Sequence, residues 1–102
     1  MINIGNLAQE LYKYDEDKPR LDLVPPDAIL AIGEIMTYGL NKYCEGGWKK
    51  VEPYRYRAAM MRHIVEYLRE PTSIDSESGY KHLWHIACNV AFLCELEKEV
   101  KK

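Results

Sequence analysis

A chain of 102 residues with 47% hydrophobic side chains and a formal net charge of -2 is large enough for one modest core and too small for two. Its near-balanced charge lacks the basic face that duplex nucleic acid requires, and no apolar run reaches the roughly 18–20 residues of a membrane span. The first ten residues, M-I-N-I-G-N-L-A-Q-E, carry neither the basic nor the apolar region of a signal peptide. Three cysteines, Cys44, Cys88 and Cys94, are an odd number without metal-knuckle spacing, which predicts reduced thiols in a cytoplasm.

Residues 1–17 are weakly patterned, with Leu7, Leu11 and Tyr12 placed for a short amphipathic turn and Asp15, Glu16 and Asp17 for an acidic surface. K-P-R-L-D-L-V-P-P follows, where the prolines keep residues 18–26 extended. This stretch is either a connector whose Leu21 and Leu23 dock on the core or a basic arm, bearing Lys18 and Arg20, that closes over a phosphate. Pro26 and Asp27 then open a helix, since proline and an acid both suit a first turn. Ile29, Leu30, Ile32, Ile35, Met36, Leu40 and Tyr43 carry its period to about Tyr43, with Glu34, Thr37, Tyr38 and Asn41 on the polar side. Gly33 and Gly39 within it mark a packing notch or the close approach of a helix or ligand.

Pro53 starts a second helix that Pro71 ends. Its apolar side is Ala59, Met60, Ile64, Tyr67 and Leu68, and His63, Glu66 and Glu70 share another face at i, i+3 and i+7. Arg62 and Arg69 are at hand to pair with Glu66, so that face reads as solvated or as part of a site. T-S-I-D-S-E-S-G is a loop in which Ser76 or Ser78 is a natural N-cap. The third helix, residues 78–97, is apolar nearly all round, as buried helices are. Ser78, His82, His85 and Asn89 nevertheless stack along it at i, i+4, i+7 and i+11. Buried polar groups cost about 1–3 kcal/mol each when unpartnered, so this stripe is an internal network or the wall of a polar site.

No segment alternates as a strand does. The expected fold is all-α, a small bundle of three main helices in a single domain over residues 1–102. The third helix is too apolar for two neighbours to cover, which predicts a homodimer or larger assembly.

Four blocks in order carry a resemblance: K-P-R-x-D-L-x-P-P, T-Y-G-x-x-K-Y with Trp48 after it, Arg62-His63, and D-x-E-S-G-x-x-H-L-x-H-x-x-x-N from Asp75 to Asn89. Together, over about residues 18–97, they resemble the phage-encoded dATP/dGTP diphosphohydrolase N-terminal domain family, whose relatives are the all-α MazG-type nucleoside triphosphate pyrophosphohydrolases. The resemblance implies a MazG-like bundle in the host cytoplasm that cleaves a purine deoxynucleoside triphosphate to monophosphate and pyrophosphate. Divalent Mg²⁺ or Mn²⁺ would assist the attack of water on the α-phosphate.

What the resemblance implies for the site is a set of candidates. His82, His85, His63 and Asp75 are the candidates for catalysis. Glu34, Glu66, Glu70 and Asp75 are those for the metal. Lys18, Arg20, Lys42, Arg62, Ser78 and Asn89 are candidate substrate contacts, with Tyr43 or Trp48 stacking on the base. The chain departs from the MazG pattern, which holds Mg²⁺ with ExxE on one helix and ExxD on the next, because His82 and His85 stand where ExxD is expected. Imidazoles suit Mn²⁺ or Zn²⁺ better than Mg²⁺. Gly47 also stands where the family tends to have asparagine. Two other functions stay open on these residues: a phage protein that binds a nucleotide without cleaving it, and a helical adaptor whose histidine stripe satisfies only itself.

Overall fold

A computed structural model describes residues 17–98. Within them the chain forms three α-helices, α1 (Pro26–Gly39), α2 (Pro53–Arg69) and α3 (His82–Leu96), with short 3₁₀ turns at Leu21–Leu23 and Gly47–Lys50. Among the described residues there is no strand, only an isolated bridge between Ile74 and Lys81. The expected all-α bundle of three main helices is what forms. The sequence-level readings of Leu7, Leu11, Tyr12, Asp15 and Glu16 lie outside the described residues.

Proline sets both first boundaries. Pro26 and Pro53 stand in the first turns of α1 and α2, where a missing N–H removes nothing and the fixed φ already matches the helix. Neither start has a side-chain cap, so the ring geometry does the work. Helix α2 ends at Arg69, two positions before Pro71, with the Glu70 N–H still bonded to the Glu66 carbonyl at 3.0 Å.

Helix α3 is the shared partner. It packs along both α1 and α2, whose backbones, among the described residues, are brought together only through it. Ala31 and Ile35 of α1, one turn apart, are buried with Cys88 and Asn89 of α3. Because α1 and α2 do not close on each other, a groove runs between them with α3 as its floor. That groove positions the site.

Five details differ from expectation. Helix α1 stops at Gly39 rather than Tyr43, and residues 40–46 continue as turns, which frees Lys42 and Tyr43 from the helical face. Residues 21–23 form a 3₁₀ turn instead of an extended run, and Leu21 and Leu23 are exposed rather than docked. Nothing lies within 4 Å of a side chain added at Gly33 or Gly39, so neither glycine is a packing notch for another helix among the described residues, while Gly39 lines one of the cavities described below. Helix α3 starts at His82, not Ser78, with Lys81 at the N-cap position and no side-chain cap. Finally, only Cys88 and Asn89 of α3 are buried, while Leu83 and Val90 stay exposed. That uncovered surface is the condition on which the expectation of self-association rests. No helix among the described residues is long and apolar enough to cross a membrane.

Candidate functional site

The loop from α2 to α3 builds one end of the groove. Asp75 organises it: its N–H donates to the Tyr80 carbonyl, its carbonyl accepts the Gly79 N–H, and its Oδ2 accepts the Ser78 N–H at 2.9 Å. Aspartate folds turns in this way because its short side chain reaches backbone donors just ahead of it. Gly79 sits at φ +79°, a left-handed conformation that costs other residues roughly 1–2 kcal/mol. The His82 N–H donates to the Ser73 carbonyl at 3.1 Å and so fixes where α3 begins. The D-S-E-S-G run is therefore a turn that delivers the Asp75 carboxylate and the Ser78 hydroxyl to the first turn of α3.

Three imidazoles meet there. His63 of α2 and His82 of α3 face each other with Nδ1 to Nδ1 at 2.8 Å, so one ring donates and the other accepts. The His63 ring also stacks on His85, centroids 4.4 Å apart and planes within 8°. His85 Nε2 lies 2.7 Å from Ser78 Oγ and 3.7 Å from Asp75 Oδ2, while Ser78 Oγ accepts the Tyr80 N–H. Ligand atoms of His63, Asp75 and His82 all lie within 4.8 Å of one another. One carboxylate and two imidazoles form a mixed O/N donor set that fits Mn²⁺, Fe²⁺ or Zn²⁺ and is poor for Mg²⁺.

Charge in this cluster is set by burial. Desolvation, then the neighbouring His85, pushes His63 down to about 4. Desolvation also lowers His85, against the pull of Asp75. Both rings are therefore neutral near pH 7, the state that ligates a metal or accepts a proton. For Asp75, burial works in the opposite sense, but hydrogen bonds to Ser78 and the nearby His85 and His63 outweigh it and hold the carboxyl below its usual range.

The groove holds two cavities that share a wall. One, of about 750 Å³, is charged: Arg55, Arg62, Glu66, Asp75, Glu77 and His82 line it. The other, of about 700 Å³, is aromatic, with Trp48, Tyr56, Phe92, Cys88 and Asn89 around it. Tyr38, Lys42, Tyr43, Tyr56, Ala59, His63 and His85 belong to both. Each cavity falls in the range of about 300–1,000 Å³ typical of small-molecule sites. At the aromatic end Phe92 packs between Trp48 (centroids 4.7 Å apart, planes at 18°) and Tyr56 (4.7 Å, 43°). The Tyr56 hydroxyl donates to the Trp48 carbonyl at 2.8 Å, and burial raises its pKa to about 12, so it remains a donor.

The sequence candidates divide accordingly. His63, His82, His85, Asp75 and Ser78 are brought together, and Lys42, Tyr43, Trp48, Arg62, Glu66 and Asn89 line the groove. Lys42 also pairs with Glu77. Lys18 and Arg20 line neither cavity; both are exposed, and Arg20 pairs with Asp22 at 2.7 Å. The Glu34 carboxylate accepts the Tyr80 hydroxyl at 3.0 Å, and Glu70 accepts the Thr72 hydroxyl at 3.1 Å. Neither glutamate joins the histidines. Glu66 pairs with Arg69 at 3.4 Å, whereas Arg62 makes no ion pair among the described residues.

Sequence reasoning missed Tyr56, Phe92, Arg55 and Glu77. Phe92 had a signal, because it continues the His85 and Asn89 face at i+7 and i+3. Tyr56 sits in the Y-R-Y-R run, where alternation says nothing about a helix face.

The sequence profile of the family described as dATP/dGTP diphosphohydrolase, N-terminal, matches residues 8–102. The chain belongs to that family. A curated relative named dATP/dGTP diphosphohydrolase, from Salmonella phage PMBT28, is 28% identical over 81 residues. The match takes in 79% of this chain but 28% of the relative, so the chain spans under a third of that protein's length. No solved structure matches the chain.

Proposed function

We propose that the groove is the site of a metal-dependent diphosphohydrolase that cleaves dATP or dGTP to the monophosphate and pyrophosphate. The observation that carries this reading is the continuity of the two cavities: an aromatic end runs into a polar end where Lys42, Arg55 and Arg62 stand beside Glu66, Asp75 and Glu77, with the His63–Asp75–His82 cluster among them. The family relationship and the name of the phage relative support the substrate class.

In this reading His63, Asp75 and His82 hold one divalent ion. When bound, such an ion supplies charge neutralisation for phosphate oxygens and acidifies the attacking water. Lys42, Arg55 and Arg62 bind and orient the triphosphate. Lys42 leaves Glu77 to do so, which is inexpensive because exposed pairs of this kind are worth about 1 kcal/mol or less. His85, neutral and held by Ser78, takes up the proton released by water. Tyr56 and Trp48, locked together through the Tyr56 hydroxyl, keep the base end rigid and dry.

The test is a product assay. Each deoxy- and ribonucleoside triphosphate is incubated with the protein and Mn²⁺ or Mg²⁺, and the products are resolved by chromatography. Monophosphate and pyrophosphate from dATP or dGTP, abolished by EDTA, is the expected result. Unchanged nucleotides with every metal contradict it. The second reading, retention without cleavage, draws on the single carboxylate among the three grouped ligands; it predicts stoichiometric binding that survives EDTA and yields no product.

A further inference from the structure

We infer that Asn89 selects the base: its side-chain oxygen accepts a hydrogen bond from the exocyclic amine of an aminopurine. The inference rests on the nucleotide reading above and deepens it by naming the group that discriminates.

Asn89 is 8% exposed and is the one buried polar side chain among the described residues. A neutral amide in such a place needs partners at both ends. One end is matched, since Nδ2 donates to the His85 carbonyl oxygen at 2.8 Å. A carbonyl oxygen only accepts, so that bond also fixes the amide's orientation and leaves Oδ1 at the other end. Among the described residues Oδ1 accepts no hydrogen bond, yet no enclosed side-chain nitrogen or oxygen lacks a partner. Oδ1 is therefore reached from the cavity that Asn89 lines beside Trp48, Phe92 and Cys88.

None of the donors around that cavity, the Trp48 indole N–H, the Tyr43 hydroxyl and the Lys42 and Lys49 amines included, bonds Oδ1 among the described residues. The Tyr56 hydroxyl is committed to the Trp48 carbonyl, Trp48 and Phe92 hold each other face to face, and Cys88 offers only a weak S–H. The matching donor is left for the ligand to bring, on a flat group that fits between aromatic walls. The exocyclic amine of adenine, 2-aminoadenine or guanine is such a donor. A site built around a substrate N–H discriminates sharply, because the analogue lacking it leaves the buried acceptor unpaired.

The experiment compares whichever of dATP or dGTP is cleaved with its analogue lacking the amine, purine deoxyriboside triphosphate or dITP respectively. For the wild type, removal of the amine is expected to lower kcat/KM by about 10–100-fold. In Asn89→Leu, of similar volume but with no acceptor, that ratio is expected to fall close to one. A wild-type ratio near one overturns the proposal without any variant. So does an Asn89→Leu enzyme that loses activity on both substrates by one common factor, since that marks a merely structural residue. Hydrolysis with an unchanged ratio rejects this inference alone, whereas absence of both hydrolysis and calorimetric binding for every nucleotide rejects the underlying reading as well.

Discussion

The two ends of the groove are held together by different physics. At the imidazole end, residues within a 23-residue stretch (His63 to His85) are brought together by one turn, and polar groups satisfy one another: Asp75 with Ser78, Ser78 with His85, His63 with His82. At the aromatic end, Trp48, Tyr56 and Phe92 come from three separate elements and are held by ring packing and one hydrogen bond. In the proposed reading the first end is a chemical device in which small changes would alter protonation and ligation. The second is a packed wall where changes alter stability and fit. Substitutions should separate the two.

The largest effect is expected at the imidazole end. His82→Ala should lower kcat/KM for dATP or dGTP by about 10²–10⁴-fold while circular dichroism shows the helices intact; an activity within threefold of wild type contradicts a chemical role for the imidazole end. Phe92→Ala should do the reverse. Removing the half-buried ring from between Trp48 and Tyr56 should cost about 2–3 kcal/mol in urea unfolding and raise KM more than it lowers kcat. Gly79→Ala tests the turn that builds the imidazole end: forcing a Cβ into the left-handed region should cost about 1–2 kcal/mol, with a loss of activity larger than the stability change explains.

A fourth expectation concerns pH. The His63 pKa is held near 4 in the folded chain, below its ordinary value of 6.5. Below pH 6.5 the unfolded chain takes up this proton first, so the metal-free protein should lose stability as pH falls from 6.5 towards 4. The loss should be about 1–2 kcal/mol after allowance for solvent screening. Denaturant midpoints across that window should be flatter for His63→Asn, and an identical slope in both proteins contradicts the assignment. The smallest effect belongs to the rim. Glu77→Gln removes the partner of Lys42 and should change stability by less than about 1 kcal/mol, while leaving kcat nearly unaltered.

The same contrast explains what was legible in the sequence. Helix starts at Pro26 and Pro53 and the all-α fold follow from local chemistry, and so they read directly. The histidine stripe was also legible, because His82, His85 and Asn89 share a helix face at fixed spacing. Ser78 reached His85 from a turn rather than from the helix, which the stripe did not require. The Phe92, Tyr56 and Trp48 contacts depend on how α2 and the Gly47–Lys50 turn rotate onto α3, and periodicity constrains that rotation only coarsely. Lys18 and Arg20 fit a motif, but a motif does not say whether an arm folds inward; here Arg20 pairs with its neighbour Asp22 and stays in solvent. Glu34 and Glu70 likewise had metal-ligand chemistry without metal-ligand placement, each being taken by a nearby hydroxyl.

Metal binding at the imidazole end is tested most directly by a Mn²⁺ titration of the stripped protein, followed by the electron paramagnetic resonance signal of free Mn²⁺. Saturable binding of Mn²⁺ in the wild type, lost in Asp75→Asn and in His82→Ala but kept in Phe92→Ala, is the predicted result. Binding that persists unchanged in Asp75→Asn and His82→Ala would contradict the assignment of the imidazole end as the metal centre.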